Sequence, residues 1–189
     1  MTPRGAIVAL ALLAAPLTVE AVSFTLTERQ IQDAVELGEH SVTRESLGTE
    51  WRVRNAAGDA LTVMTPFYRV ALAARHAAFR NEPLKPKDRA RVVKEQRDRL
   101  VFWVELKGPR DDFARFYTPR LVVGARQIEP SFTQNERTAA RGDDGKYLAQ
   151  CVYGFPTKML PGTGKVVLVI RDGDGRDLAS FTVDLSTVR

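Results

Sequence analysis

Cysteine and histidine are almost missing from this chain: Cys151 is the one thiol, and His40 and His76 are the only imidazoles. An internal disulfide is therefore impossible, and packing alone must hold the fold. A zinc site would have to gather carboxylates from scattered positions, because neither histidine has ligand spacing. His76 falls mid-helix beside Arg75 and reads as a helix-face residue. His40 and Ser41 are adjacent, and adjacent side chains rarely face one another; no Gly-x-Ser-x-Gly elbow occurs anywhere. Asp172 and Asp174 open a stretch with some likeness to a calcium loop, but Arg176 puts positive charge at the third ligand position, so a hairpin turn is the reading. The expectation is no catalytic set, no metal and no cofactor. Cys151 reads as a small buried hydrophobe, with a catalytic thiol or an intermolecular bridge as the rival readings.

Long apolar runs are equally scarce. The one at the start, residues 6–13, weakens through Ala14 and Ala15 and stops at Pro16. A membrane span needs about 20 apolar residues, and Pro16, Thr18 and Glu20 interrupt this run too early. With Arg4 ahead of it and Val19-Glu20-Ala21 behind it, the segment has the three parts of a cleavable secretory signal, with cleavage expected before Val22. The protein is then exported, periplasmic or extracellular, with no stable membrane span after cleavage. Removal of residues 1–21 leaves 168 of the 189 residues and the whole formal charge of +5.

No internal repeat or low-complexity tract breaks the rest, which divides near Leu100. Residues 22–99 are helix-rich and charged. Thr27 and Gln30 have capping-box spacing; Ile31, Ala34, Val35 and Gly38 follow at helical intervals, with Gly38 as the expected stop. Trp51 and Val53 alternate with Arg52 and Arg54, residues 55–59 turn, and Leu61 and Val63 alternate on the return, which predicts a hairpin. Thr65-Pro66 then opens a second helix with an apolar stripe of Phe67, Val70, Ala71, Ala74 and Ala78, and Arg69, Arg75 and Arg80 off that face. Residues 81–83 break it, and Leu84-Lys85-Pro86 starts a third helix that carries Val92 and Val93. Residues 100–189 predict short strands over 101–106, 121–123, 127–128, 147–155, 166–171 and 178–185. In the fourth, Tyr147, Ala149, Cys151, Tyr153 and Phe155 share one side. Trp51, Trp103, Tyr117 and Tyr153 could line a groove, but Trp103 lies in an apolar strand and is expected in the core. The fold class expected is α+β, helices and a hairpin packed on a β-sandwich.

Two stretches carry a resemblance. Asp143-Asp144-Gly145-Lys146-Tyr147-Leu148-Ala149 resembles the tyrosine corner of immunoglobulin-like domains, with Ala149 where the disulfide cysteine would stand. Leu160-Pro161-Gly162-Thr163-Gly164-Lys165-Val166 resembles the corner of fibronectin type III domains, with Val166 in place of tyrosine. Only one strand follows the second stretch, so it is the better marker of a penultimate strand. The resemblance implies an immunoglobulin-like antiparallel sandwich over residues 100–189 and no activity, since such sandwiches host unrelated functions. Thr65-Pro66-Phe67 with its Arg-studded helix, and the ending Asp184-Leu185-Ser186, are also similar to uncharacterised exported bacterial proteins.

One segment stands out by charge. Residues 69–99 hold ten Lys and Arg against four Asp and Glu, an excess of six where the whole chain has five. Such a cluster attracts anions; in an exported protein these are lipid headgroups, lipopolysaccharide or acidic wall polymer, and nucleic acid is poorly placed. The bland alternative is a solvated helical face with pairs such as Arg91 and Glu95. Arg80, Lys85, Lys87, Arg91 and Lys94, beside the break at 81–83, are the expected anion-binding residues. The functional expectation is an exported envelope binding or assembly module without catalysis, contacting an unknown protein or an anionic envelope component. A secreted hydrolase and a structural subunit of an envelope complex are the alternatives.

Overall fold

The first helix begins where the capping spacing requires. Thr27 Oγ1 accepts the Gln30 amide at 3.2 Å while the Gln30 side-chain oxygen accepts the Thr27 amide at 2.9 Å, satisfying two donors that α1 (Glu28–His40) would otherwise leave unpaired. The computed structural model describes residues 24–44, 47–96 and 98–189; the expected signal, residues 1–21, lies outside them. Ile31 and Ala34 are buried, but Gly38 is not the helix stop. It is where α1 crosses α2 (Pro66–Phe79). A Cβ on Gly38 would stand 2.2 Å from the Ala71 carbonyl oxygen and 2.8 Å from the Ala74 Cβ. Close approach, not chain termination, is what this glycine provides. The helix runs on to His40, and the Ser41 hydroxyl donates to the Gly38 carbonyl at 2.7 Å.

Thr65 caps α2 through the Tyr68 amide at 3.1 Å, and Pro66 occupies the first turn at no hydrogen-bonding cost. Phe67, Val70, Ala71, Ala74 and Ala77 are buried; Ala78, expected on this stripe, is only half-buried because the 3.6-residue period carries the face to Ala77. α3 (Pro86–Gln96) follows and packs on α2.

The strands, in chain order, are β1 (Arg52–Arg54), β2 (Ala60–Met64), β3 (Arg99–Gly108), β4 (Thr118–Val123), β5 (Arg126–Ile128), β6 (Phe132–Gln134), β7 (Ala140–Arg141), β8 (Tyr147–Pro156), β9 (Lys165–Arg171) and β10 (Asp177–Asp184). One sheet has the order β1-β2-β3-β8-β6, with β7 also on β8; the other is β10-β9-β4-β5. All pairings are antiparallel. With its three helices and two antiparallel sheets, the described chain is α+β. α2 and α3 are inserted between β2 and β3, which pair as Leu61 with Val104 and Val63 with Phe102. The helix-rich and strand-rich stretches therefore share a sheet. β6 and β7 carry no buried residue and no alternation, which is why the sequence did not suggest them.

Both sheets contribute to one core. Phe102, Val104, Cys151, Tyr153 and Phe155 face in from the first sheet, and Leu121, Leu168, Ile170, Phe181 and Val183 from the second. Each fully buried large side chain contributes about 1.5–3 kcal/mol. Cys151 is 1% exposed, as expected, and burial pushes its thiol pKa up. Trp103 corrects the expectation: it is 47% exposed. Leu100, Phe102, Val104 and Leu106 take the inward positions, so alternation turns Trp103 outward with Glu105 and Lys107.

Two local features complete the frame. At the β9–β10 turn, Gly175 has φ +81°, and the Arg176 guanidinium lies 2.7 Å from Asp172 and 3.0 Å from Asp174. The protein's own cation thus occupies the space between these carboxylates, which accords with the hairpin reading. At the other end, the main-chain oxygen of Arg189 accepts from Trp51 Nε1 at 3.0 Å and from the Thr65 hydroxyl. Its guanidinium meets Glu50 at 3.1 Å and lies 5.2 Å over the Phe67 ring. The exit of β10 is thereby tied to the start of α2.

Candidate functional site: the cleft between the second and third helices

Asn81 sets the geometry of this site. It adopts φ +57°, a left-handed conformation that asparagine tolerates better than most residues. The Asn81 amide donates to the Ala78 carbonyl at 2.9 Å and the Glu82 amide to the Ala77 carbonyl at 3.0 Å. This is the double bond of a Schellman ending. The chain leaves α2 sharply, passes Pro83 and re-enters a helix at Pro86. Between the two helices lies a cleft of about 280 Å³ whose polar lining is His76, Arg80, Glu82, Lys85, Asp88 and Arg91.

Three of the five expected anion-binding residues, Arg80, Lys85 and Arg91, are brought together here. Lys94 is not: it lines a separate cavity of about 380 Å³ between α1 and α3, with Glu28 and Arg89. Lys87 lines neither. Lys87, Arg91 and Lys94 share a helical stripe at i, i+4 and i+7. α3 lies edge-on, however: its α2 side presents Asp88, Arg91 and Val92, and its α1 side presents Ala90, Val93 and Lys94. Arg91 pairs with Asp88 at 3.1 Å, in place of the expected partner Glu95. The cleft holds three cations against two carboxylates, Glu82 and Asp88, one of which Arg91 already engages.

Phe79, one residue before Arg80, is 75% exposed; sequence reasoning passed over it because it falls off the α2 stripe. The other candidates disperse. His40 is exposed and lies 4.0 Å from Glu36, and Ser41 is buried with its hydroxyl on Gly38, so they form no base–nucleophile pair. Trp51 and Tyr153 are core residues at 1% and 0% exposure, so the four aromatics do not line one groove. Trp51 stacks on Tyr68 with ring centres 4.3 Å apart. The Tyr153 hydroxyl donates to Asn135 at 2.9 Å, and burial pushes its pKa far up. Among the described residues, no group of three or more His, Cys, Asp or Glu could hold a metal ion, and no helix is long and apolar enough to cross a membrane.

Compared with protein-family models, curated proteins and solved structures, the chain matches none.

Proposed function

We propose that this chain is an exported, non-catalytic binding module of the cell envelope that docks on an anionic lipid surface through the α2–α3 turn. The observation that carries the reading lies at that turn: Arg80, Lys85 and Arg91 converge on one cleft, and Phe79, next to Arg80 in the chain though outside the cleft lining, is exposed. An exposed aromatic ring that can enter the interface, close in the chain to cations that can meet headgroup phosphates, is the side-chain set of a peripheral membrane contact. Each cation near such a surface contributes about 1 kcal/mol. At physiological ionic strength charges beyond about 8 Å are screened, so the clustered residues act together and the scattered ones do not.

The framework under this turn is, in our reading, an immunoglobulin-like sandwich. Strand order supports it: β2-β3-β8-β6 and β10-β9-β4-β5 run as the A-B-E-D and G-F-C-C′ sheets of that architecture. β1 adds an edge strand, and α2 and α3 fill the A-to-B connection. The disulfide that joins strands B and F in antibody domains has no counterpart; Phe102 and Leu168 are among the residues that fill the core from β3 and β9.

The test is co-sedimentation with vesicles of phosphatidylcholine alone and of phosphatidylcholine mixed with phosphatidylglycerol, across a salt series. Binding is expected only with the anionic lipid and should fall with salt. The double reversal Arg80→Glu with Lys85→Glu should weaken it at least about tenfold, whereas Lys87→Glu with Lys94→Glu, the same charge change outside the cleft, should weaken it less. Binding indifferent to lipid charge, or equal loss in both double variants, would refute the cleft.

A further inference from the structure

The outer face of the first sheet carries a second surface, independent of the helical turn. Register aligns Thr62, Trp103, Val152 and Gln134 in one row across β2, β3, β8 and β6. The neighbouring row on one side holds Glu105 and Gln150. On the other side lie Val101, Gly154 and Phe132. Trp103 and Phe132 are 47% and 38% exposed. They stand two strands apart and one two-residue step along, about 12 Å between backbones. A shallow groove of about 280 Å³ runs beside Trp103 toward Gln150 and Val152.

The carboxylates on this face are already answered from within. Arg52 grips Glu105 through its two terminal guanidinium nitrogens, Nη1 and Nη2, at 3.1 and 2.6 Å. Lys107 meets Asp144 at 2.7 Å, and Arg99 lies 5.6 Å over the Phe132 ring. Gly154 lets that guanidinium stem cross the sheet, since a Cβ there would stand 2.4 Å from the Arg99 Cδ. A cationic occupant therefore finds no unpaired carboxylate, and the cations left over, Arg99 against the Phe132 ring and Arg54 on the edge strand β1, lie away from Trp103. What is offered is two flat rings with Val152 and Gly154 between them, flanked by the amides of Gln134 and Gln150 and by the ion-paired Glu105. That suits a neutral ligand with apolar C–H faces and a rim of hydroxyls, which can both donate to and accept from glutamine side chains.

We propose that this face binds a neutral oligosaccharide, with Trp103 stacking on one sugar ring, Phe132 on another further along, and Gln150 and Gln134 bonding hydroxyls. The groove is small for a drug-sized ligand, which suits a chain lying along the surface with one ring seated.

Trp103 reports on its own site, because the other tryptophan, Trp51, is buried at 1% exposure. The experiment titrates the protein with six-sugar oligomers of β-linked glucose and of β-linked N-acetylglucosamine and follows tryptophan fluorescence. At least one should shift the emission saturably, with an affinity unchanged between low and high salt. Trp103→Ala should weaken binding at least about tenfold by calorimetry, Trp103→Phe should retain part of it, and Gln150→Ala should weaken it while circular dichroism stays as in the parent. A silent titration with both sugars, or equal calorimetric affinity in Trp103→Ala, would overturn the proposal. So would concentration-dependent self-association that Trp103→Ala abolishes, which would assign the face to a second copy of the chain.

Discussion

Thr65 serves two ends of the molecule with one hydroxyl: it accepts from the Tyr68 amide as the cap of α2 and donates to the main-chain oxygen of Arg189. Thr65→Val removes both bonds at a fully buried position. It should cost about 2 kcal/mol, a lost cap and an unpaired buried acceptor together, while Thr65→Ser restores most of it; chemical denaturation measures the difference. At Gly38 two effects compete. Alanine would favour the helix by up to about 1 kcal/mol, but its methyl would meet the Ala71 carbonyl oxygen at 2.2 Å. The clash is with backbone and cannot be relieved by a rotamer change, so Gly38→Ala should lower Tm. Cys151 should react slowly with a thiol reagent in the native state and fast in denaturant. Cys151→Ser should cost about 1–3 kcal/mol if its hydroxyl finds no partner; equal reaction rates in both conditions would contradict the burial.

At the scale of elements, α2 was the most legible because cap, proline and apolar period agree on one answer. The end of α1 was misjudged, since glycine marks a helix stop and a helix crossing with the same letter, and only the partner helix tells them apart. Trp103 carried a usable signal: it shares parity with Glu105 and Lys107, which are polar, whereas the unbroken apolar run of residues 100–104 hides that parity. β6 and β7 were illegible because their side chains are exposed and their pairing is made by backbone. The β9–β10 turn yields a pH prediction. Amides of Arg176 and Asp174 and the Arg176 guanidinium hold the Asp172 carboxyl below the ordinary range. A carboxyl lowered in the folded state stabilises the fold above its unfolded pKa, near 3.9, and that contribution is lost as pH falls through the folded value. Thermal unfolding from pH 7 down to 2 should therefore show a steeper acid loss in the parent than in Asp172→Asn.

For the whole molecule, clustering of positive charge along residues 69–99 was legible, and so was its proximity to the break after α2. How that charge divides was not. Assigning Arg91 to one cleft, Lys94 to another cavity and Lys87 to neither requires knowing which neighbour each side of α3 faces, and those neighbours are set by tertiary packing. Phe79 carries a related lesson: a single aromatic off a helical stripe gains meaning only from the cation cleft that the Asn81 turn forms after it in the chain. The reading of the turn as a lipid-facing contact makes a positional demand that affinity alone does not test. Cys151 is buried, so a cysteine placed at an exposed site can be labelled selectively in the native protein. An environment-sensitive dye at Phe79→Cys is compared with the same dye at Ser180→Cys, an exposed position of β10. On adding vesicles containing phosphatidylglycerol, the dye at 79 should shift to the blue and return on adding salt, and the dye at 180 should not move. Vesicle binding with no shift at 79, or the same shift at both positions, would contradict the account.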